Sequence, residues 1–175
     1  ISQTASIHRL PGTDGKAKMS KSLGNCIYLS DEPDVIKSKI MSMYTDPTHI
    51  RKEDPGHTKG NPVFTYLEAF CNPEHFKEFM PDYKNLDELK AHYERGGLGD
   101  VTVKKFLNNV MQKELEIIRE RRKMWEQRLP DVYDILYQGS MKAKTVAANT
   151  LEEVKHSMKI DYFENKNLLS KENER

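Results

Sequence analysis

Lys18-Met19-Ser20-Lys21-Ser22 lies between Gly12-Thr13-Asp14-Gly15-Lys16-Ala17 and Leu23-Gly24-Asn25. How this run is read determines the architecture expected of everything after it. Three glycines and several small residues free the backbone to turn and to bring its N–H groups close to a ligand. Residues 12–25 hold three lysines and one aspartate, a local charge of +2, with serine hydroxyls set among the lysines. That combination suits phosphate. It is not a Walker loop, because Gly12 and Gly15 stand too close and Ala17 follows Lys16 where a magnesium-binding hydroxyl belongs. Lysine carries a compact charge on a flexible stem and can follow a moving phosphate, whereas arginine would hold it in a fixed fork. The expectation is a mobile loop that closes over its ligand. From composition alone the plainer reading is a solvated lysine-rich turn.

The chain has 175 residues, room for one ordinary domain with a core of its own. Charged residues make up 31% and hydrophobic ones 37%, which points to a polar, helical chain that is not disordered throughout. Net charge is only +1, so any nucleic-acid surface must come from local clustering. Cys26 and Cys71 stand alone, with no ligand spacing around them, so neither zinc nor a disulfide framework is suggested and no protein-bound metal is expected. A reducing cytosol fits that usage best, giving an expected cytoplasmic location. No long apolar run suggests a membrane span. The sequence opens on Ile1 in the middle of a pattern, and we read it as a fragment.

Periodicity lays out the elements. Residues 1–10 and Cys26-Ile27-Tyr28-Leu29 are the two short extended candidates. Ser30-Asp31-Glu32-Pro33 signals a helix start, with Ile36, Ile40 and Met43 facing a core and an end near Tyr44, because Asp46 precedes Pro47. Residues 45–60 form a long connection carrying His49, Arg51, Lys52, His57 and Lys59, either a surface for a substrate or an RNA partner or a plain connector. Its histidines read as solvated side chains. Asn61-Pro62, Asn72-Pro73 and Asn85 open three short helices, the last stopped by Gly96-Gly97. The longest helix should run over 101–128, roughly 40 Å at 1.5 Å per residue. It holds eight Lys and Arg against four Glu. Its cluster Arg119, Arg121, Arg122 and Lys123 is either a face stitched by Glu116 and Glu120 or a contact for an RNA backbone. Pro130 breaks the pattern, and a last helix over 139–158 should turn Ala143, Val146, Ala147, Leu151 and Val154 inward. Residues 161–175 read as a frayed tail.

The order of residues in the loop resembles the second signature motif of class I aminoacyl-tRNA synthetases, in the setting of the tryptophanyl family. The resemblance continues through Met41-Ser42-Met43-Tyr44-Thr45-Asp46-Pro47, Asp54-Pro55-Gly56, Asn61-Pro62-Val63-Phe64, Gly96-Gly97-Leu98-Gly99-Asp100 and Gly139-Ser140-Met141-Lys142-Ala143-Lys144. It implies a mainly α fold: a helical, anticodon-binding bundle over 31–160, preceded by a remnant of the Rossmann-like α/β catalytic domain over 1–30. Without the rest of that sheet, residues 1–30 are expected to be poorly anchored or paired with another chain, because an unpaired strand edge invites pairing.

What the resemblance implies for chemistry is amino-acid activation by ATP, with transfer to tRNA(Trp). Lys18 and Lys21 would be catalytic, meeting charge on departing pyrophosphate; Met19 would lie beside adenine, and Ser20 and Ser22 would add donors. Magnesium would arrive on the nucleotide. The partners implied are ATP, L-tryptophan, tRNA(Trp) and a second copy in a homodimer. Lys104, Arg119 and Arg122 are candidate tRNA contacts chosen from charge clustering. The first class motif, His-x-Gly-His, does not occur; the nearest approach is His57-Thr58-Lys59-Gly60. The fragment by itself is therefore expected to be inactive. A tyrosyl-tRNA synthetase relative and a stand-alone helical tRNA-binding module are the alternative readings.

Overall fold

Apolar residues at three- and four-residue spacing behind an initiating proline account for most of the helices, described here for residues 9–162 of a computed structural model. Six helices are present among the described residues: α1 (Pro33–Met41), α2 (Pro62–Phe70), α3 (Pro73–Phe79), α4 (Leu86–Arg95), α5 (Asp100–Glu126) and α6 (Leu129–Ser157). No strand forms among them, and Cys26-Ile27-Tyr28-Leu29 is irregular; the one extended pairing is an isolated antiparallel bridge between Pro11 and Lys18. Residues 1–8, expected to include a strand, and 163–175, most of the expected tail, lie outside the described residues.

Proline at the first turn with a capping residue before it explains where α2 and α3 begin. The Asn61 side chain accepts from Val63 N–H, and Asn72 accepts from Glu74 N–H and His75 N–H. Asn85 caps α4 by accepting from Glu88 N–H. Such caps each contribute about 1 kcal/mol by satisfying donors the helix leaves open. α1 differs: Glu32 makes no side-chain cap, and Asp31 instead accepts from Tyr28 N–H and Lys39 Nζ.

The chain separates into two compact units, residues 1–123 and 124–175. The core of the first gathers Ile36, Ile40 and Met43 with Phe64, Leu67, Phe76, Leu89, Tyr93, Phe106, Leu107 and Val110. Phe76 meets Phe106 at 4.9 Å and Phe64 meets Tyr93 at 4.8 Å between ring centroids, both tilted and within the separation at which aromatic pairs attract. Leu10, Met19 and Ile27 pack on this cluster. Residues 9–30 are therefore anchored on the helices, contrary to expectation.

The second unit corrects the expected last helix. Pro130 ends the α5 pattern and also serves as the first-turn proline of α6, which starts ten residues earlier than expected, at Leu129. No residue of α6 is buried, and Val146, Leu151 and Val154, expected inward, are exposed. Trp125 carries the Arg128 guanidinium over its ring at 5.1 Å. No described helix is long and apolar enough to cross a membrane.

Candidate nucleotide-lid site

Asn25, which sequence reasoning left without a role, organises the loop. It is 5% exposed; its Oδ1 accepts from Ser20 N–H at 2.8 Å, and its Nδ2 donates to Lys18 O and Asp14 Oδ2, both at 3.2 Å. A buried carboxamide satisfied at both ends fixes three points along the loop at once. The signal in the sequence was an Asn following Gly24 at the loop's end, a residue pair that turns readily and whose side chain bonds nearby backbone. Burial would raise the Asp14 carboxyl, but hydrogen bonds from Lys16 N–H, the Asn25 amide and Ala17 N–H outweigh it and hold Asp14 below the usual carboxylate range.

Close approach explains Gly12. A Cβ there would fall 2.1 Å from Asn25 Nδ2 and 2.8 Å from Asp14 Oδ1. Gly15 has φ of +69°, and a Cβ there would press on the Tyr44 ring and Pro62. The base of the loop is closed on itself by Thr13 N–H to Asn25 O and tied to the helical unit by two bonds, Tyr44 N–H to Thr13 O and Tyr66 O–H to Pro11 O at 2.9 Å. Tyr44 and Tyr66 are further residues that the sequence did not mark.

From this braced base the cations project outward. Lys18, Lys21 and Ser22 are exposed, while Met19 and Ser20 are half-buried, with Met19 against the core cluster and Ser20 Oγ within 2.8 Å of Ser22 Oγ. Among the described residues, neither Lys18 nor Lys21 forms an ion pair. The loop thus presents two ammonium groups and paired hydroxyls on an ordered frame, an arrangement able to meet the oxygens of a polyphosphate.

The remaining candidates are dispersed. Lys104 is 7% exposed, and its Nζ donates to Met41 O at 2.9 Å and Met43 O at 2.7 Å. Its donors are spent on carbonyls inside the unit, whereas a tRNA contact was expected of it. Arg119 is half-buried, with Nη2 donating to Gln112 O of its own helix at 3.2 Å. Arg122 is exposed.

The long connection, residues 45–60, also departs from expectation. His49 is buried, edge-on to Tyr93 and with Nδ1 3.4 Å from Asp100 Oδ2, because the segment folds back over α4. His57 remains exposed but is held by Asp46, whose carboxylate accepts from His57 Nδ1 and N–H and from Thr48 N–H and Oγ1. Among the described residues no cluster of His, Cys, Asp or Glu could hold a metal ion.

The chain matches the family tRNA synthetases class I (W and Y) over residues 2–116 and belongs to that family. Within it, the similarity is to the tryptophan branch. The chain is 61% identical to the tryptophan–tRNA ligase of Clostridium longisporum over 91% of its own length, and 53% identical to that of Streptococcus pyogenes over 89%. It spans about 44% of the length of these relatives. Among solved structures, tryptophanyl-tRNA synthetase from Campylobacter jejuni complexed with ADP and tryptophan superposes with a TM-score of 0.69 at 27% identity. That match covers 87% of this chain and 44% of the other.

Proposed function

We propose that the protein carrying this chain is a tryptophan–tRNA ligase, which activates L-tryptophan with ATP to the adenylate and pyrophosphate and then transfers tryptophan to tRNA(Trp). The observation that carries this reading is the braced lid with two exposed lysines, neither in an ion pair among the described residues, on a chain 61% identical to a tryptophan–tRNA ligase. Attack of the amino-acid carboxylate on the α-phosphorus breaks the bond to the pyrophosphate oxygen, and negative charge grows on that leaving group. Lys18 and Lys21 meet this charge as it develops. Donors that bind the transition state more strongly than the ground state raise the rate of chemistry itself. Ser20 and Ser22 supply hydroxyl or backbone donors, Met19 lies beside adenine, and magnesium is carried in by the nucleotide. The frame from Asn25 and Asp14 limits the reorganisation needed when the lid closes.

The basic face of α5 meets RNA phosphates through Arg122, with Arg119 turning outward to join it; Lys104 takes no part. A homodimer in the cytoplasm is the expected setting. The neighbour solved with ADP and tryptophan supports a nucleotide and tryptophan as substrates. The test is ATP–pyrophosphate exchange by the full-length protein with single amino acids. Exchange dependent on tryptophan is expected; dependence on tyrosine, or none on either, overturns the reading.

A further inference from the structure

Lys104 costs the fold something, because an ammonium taken out of water loses hydration that only good partners replace. Its partners are specific. Met41 is the last residue of α1 and Met43 lies just beyond it, so Nζ closes carbonyls that the end of a helix leaves open. Two turns further along α5, Gln112 Nε2 donates to Pro33 O at 2.8 Å, the first residue of α1. α5 therefore holds α1 at both ends, with the two helices running in opposite senses.

The residue after Met43 is Tyr44, whose N–H donates to Thr13 O at the base of the lid and whose side chain lies against Gly15. Met43 is itself pinned, with its side chain 2% exposed and its N–H donating to Ile40 O. A continuous path of bonds runs from α5 through Lys104 Nζ and Met43 O to the 43–44 peptide, then from Tyr44 N–H to Thr13 O. Both carbonyl bonds are charge-assisted, and the one to Met43 O, which lies on the path, is buried, where such bonds are strongest.

We infer that Lys104 is a positioning residue for the lid: its buried ammonium fixes the 41–44 turn, and through Tyr44 it sets where the lysine loop stands relative to α5. This rests on the lid acting on a nucleotide, as proposed above. The helix bearing the basic cluster and the loop bearing the catalytic lysines are thereby mechanically joined. An uncharged side chain of the same length leaves Met43 O without its donor and lets the turn shift; a displacement of about 1 Å in a catalytic group costs up to about 10²-fold in rate.

The experiment uses the full-length protein with Lys104→Met, Lys104→Gln and Lys104→Arg. Two readings are taken: amide hydrogen exchange over 10–25 and 42–46, and pyrophosphate-exchange kinetics. Lys104→Met is expected to speed exchange of the Tyr44 amide at least about tenfold and to lower kcat 10- to 100-fold with the KM for tryptophan unchanged. Lys104→Arg, which keeps charge-assisted donors, is expected to recover part of kcat. A Lys104→Met protein that melts lower but keeps wild-type lid amides and kcat shows a merely structural residue and overturns the inference. If Lys104→Met does not fold, a double-mutant cycle of Lys104→Gln with Tyr44→Pro, which removes the N–H that bonds Thr13 O, decides. Non-additive losses in kcat support the path, and additive ones overturn it. A wild-type protein without tryptophan-dependent exchange removes the functional reading, while the amide comparison still decides the positioning role.

Discussion

Replacing Gly12 by alanine tests whether the lid is an ordered frame or a loose turn. The new methyl would stand 2.1 Å from Asn25 Nδ2 and 2.6 Å from Asn25 Cγ, far inside contact distance. The Asn25 amide must leave, and with it go the bonds to Ser20 N–H, Lys18 O and Asp14 Oδ2. At about 1 kcal/mol net for each bond, the ordered lid loses about 3 kcal/mol, or about 10²-fold in its local equilibrium. Gly12 lies outside the helical core, so the global melting transition should barely move. The measurement is hydrogen exchange at the Ser20 amide, expected to quicken about 10²-fold while amides in α2 and α4 keep their protection. An unchanged Ser20 amide in a folded Gly12→Ala protein would refute the role given to Asn25.

Two other outcomes follow from the geometry. His75 is buried, its Nδ1 accepts from Asn72 N–H and its Nε2 lies 3.3 Å from Glu114 Oε1; burial holds its pKa below the ordinary imidazole value. The folded state then binds fewer protons than the unfolded one, so its stability is present above pH about 6.5 and falls as pH drops below that value. Urea midpoints between pH 7.5 and 5 should show this slope, and His75→Gln should flatten it. In the full-length protein, tRNA affinity should fall steeply with salt, and Arg122→Gln should lower the slope of log K against log salt by about 1 without changing which tRNA is preferred.

Much of the fold was legible because its signals are local. Asn-Pro pairs before apolar runs mark the starts of α2 and α3, and Gly96 marks the end of α4. Pro130 misled because one residue both forbids continuation of α5 and favours the first turn of α6; only the geometry of the intervening residues separates the two roles. The lysines of the lid could be read from motif order. Its supports were harder to read: Tyr44 and Tyr66 act through contacts distant in sequence, and Asn25 through the way the loop folds back on its own earlier residues. Lys104 shows the limit most plainly. On a helix with excess positive charge it looks like its neighbours, and only the packing of α1 against α5 makes it internal, with two carbonyls as its partners.

The central claim is that the lid's ammonium groups stabilise charge on departing pyrophosphate. Lys21→Ala in the full-length protein addresses it by ATP–pyrophosphate exchange, with tryptophan binding measured alongside. The account predicts a loss of about 10²- to 10³-fold in exchange, the scale for removing one preorganised donor, with tryptophan affinity little altered. Exchange within a few-fold of wild type would contradict it.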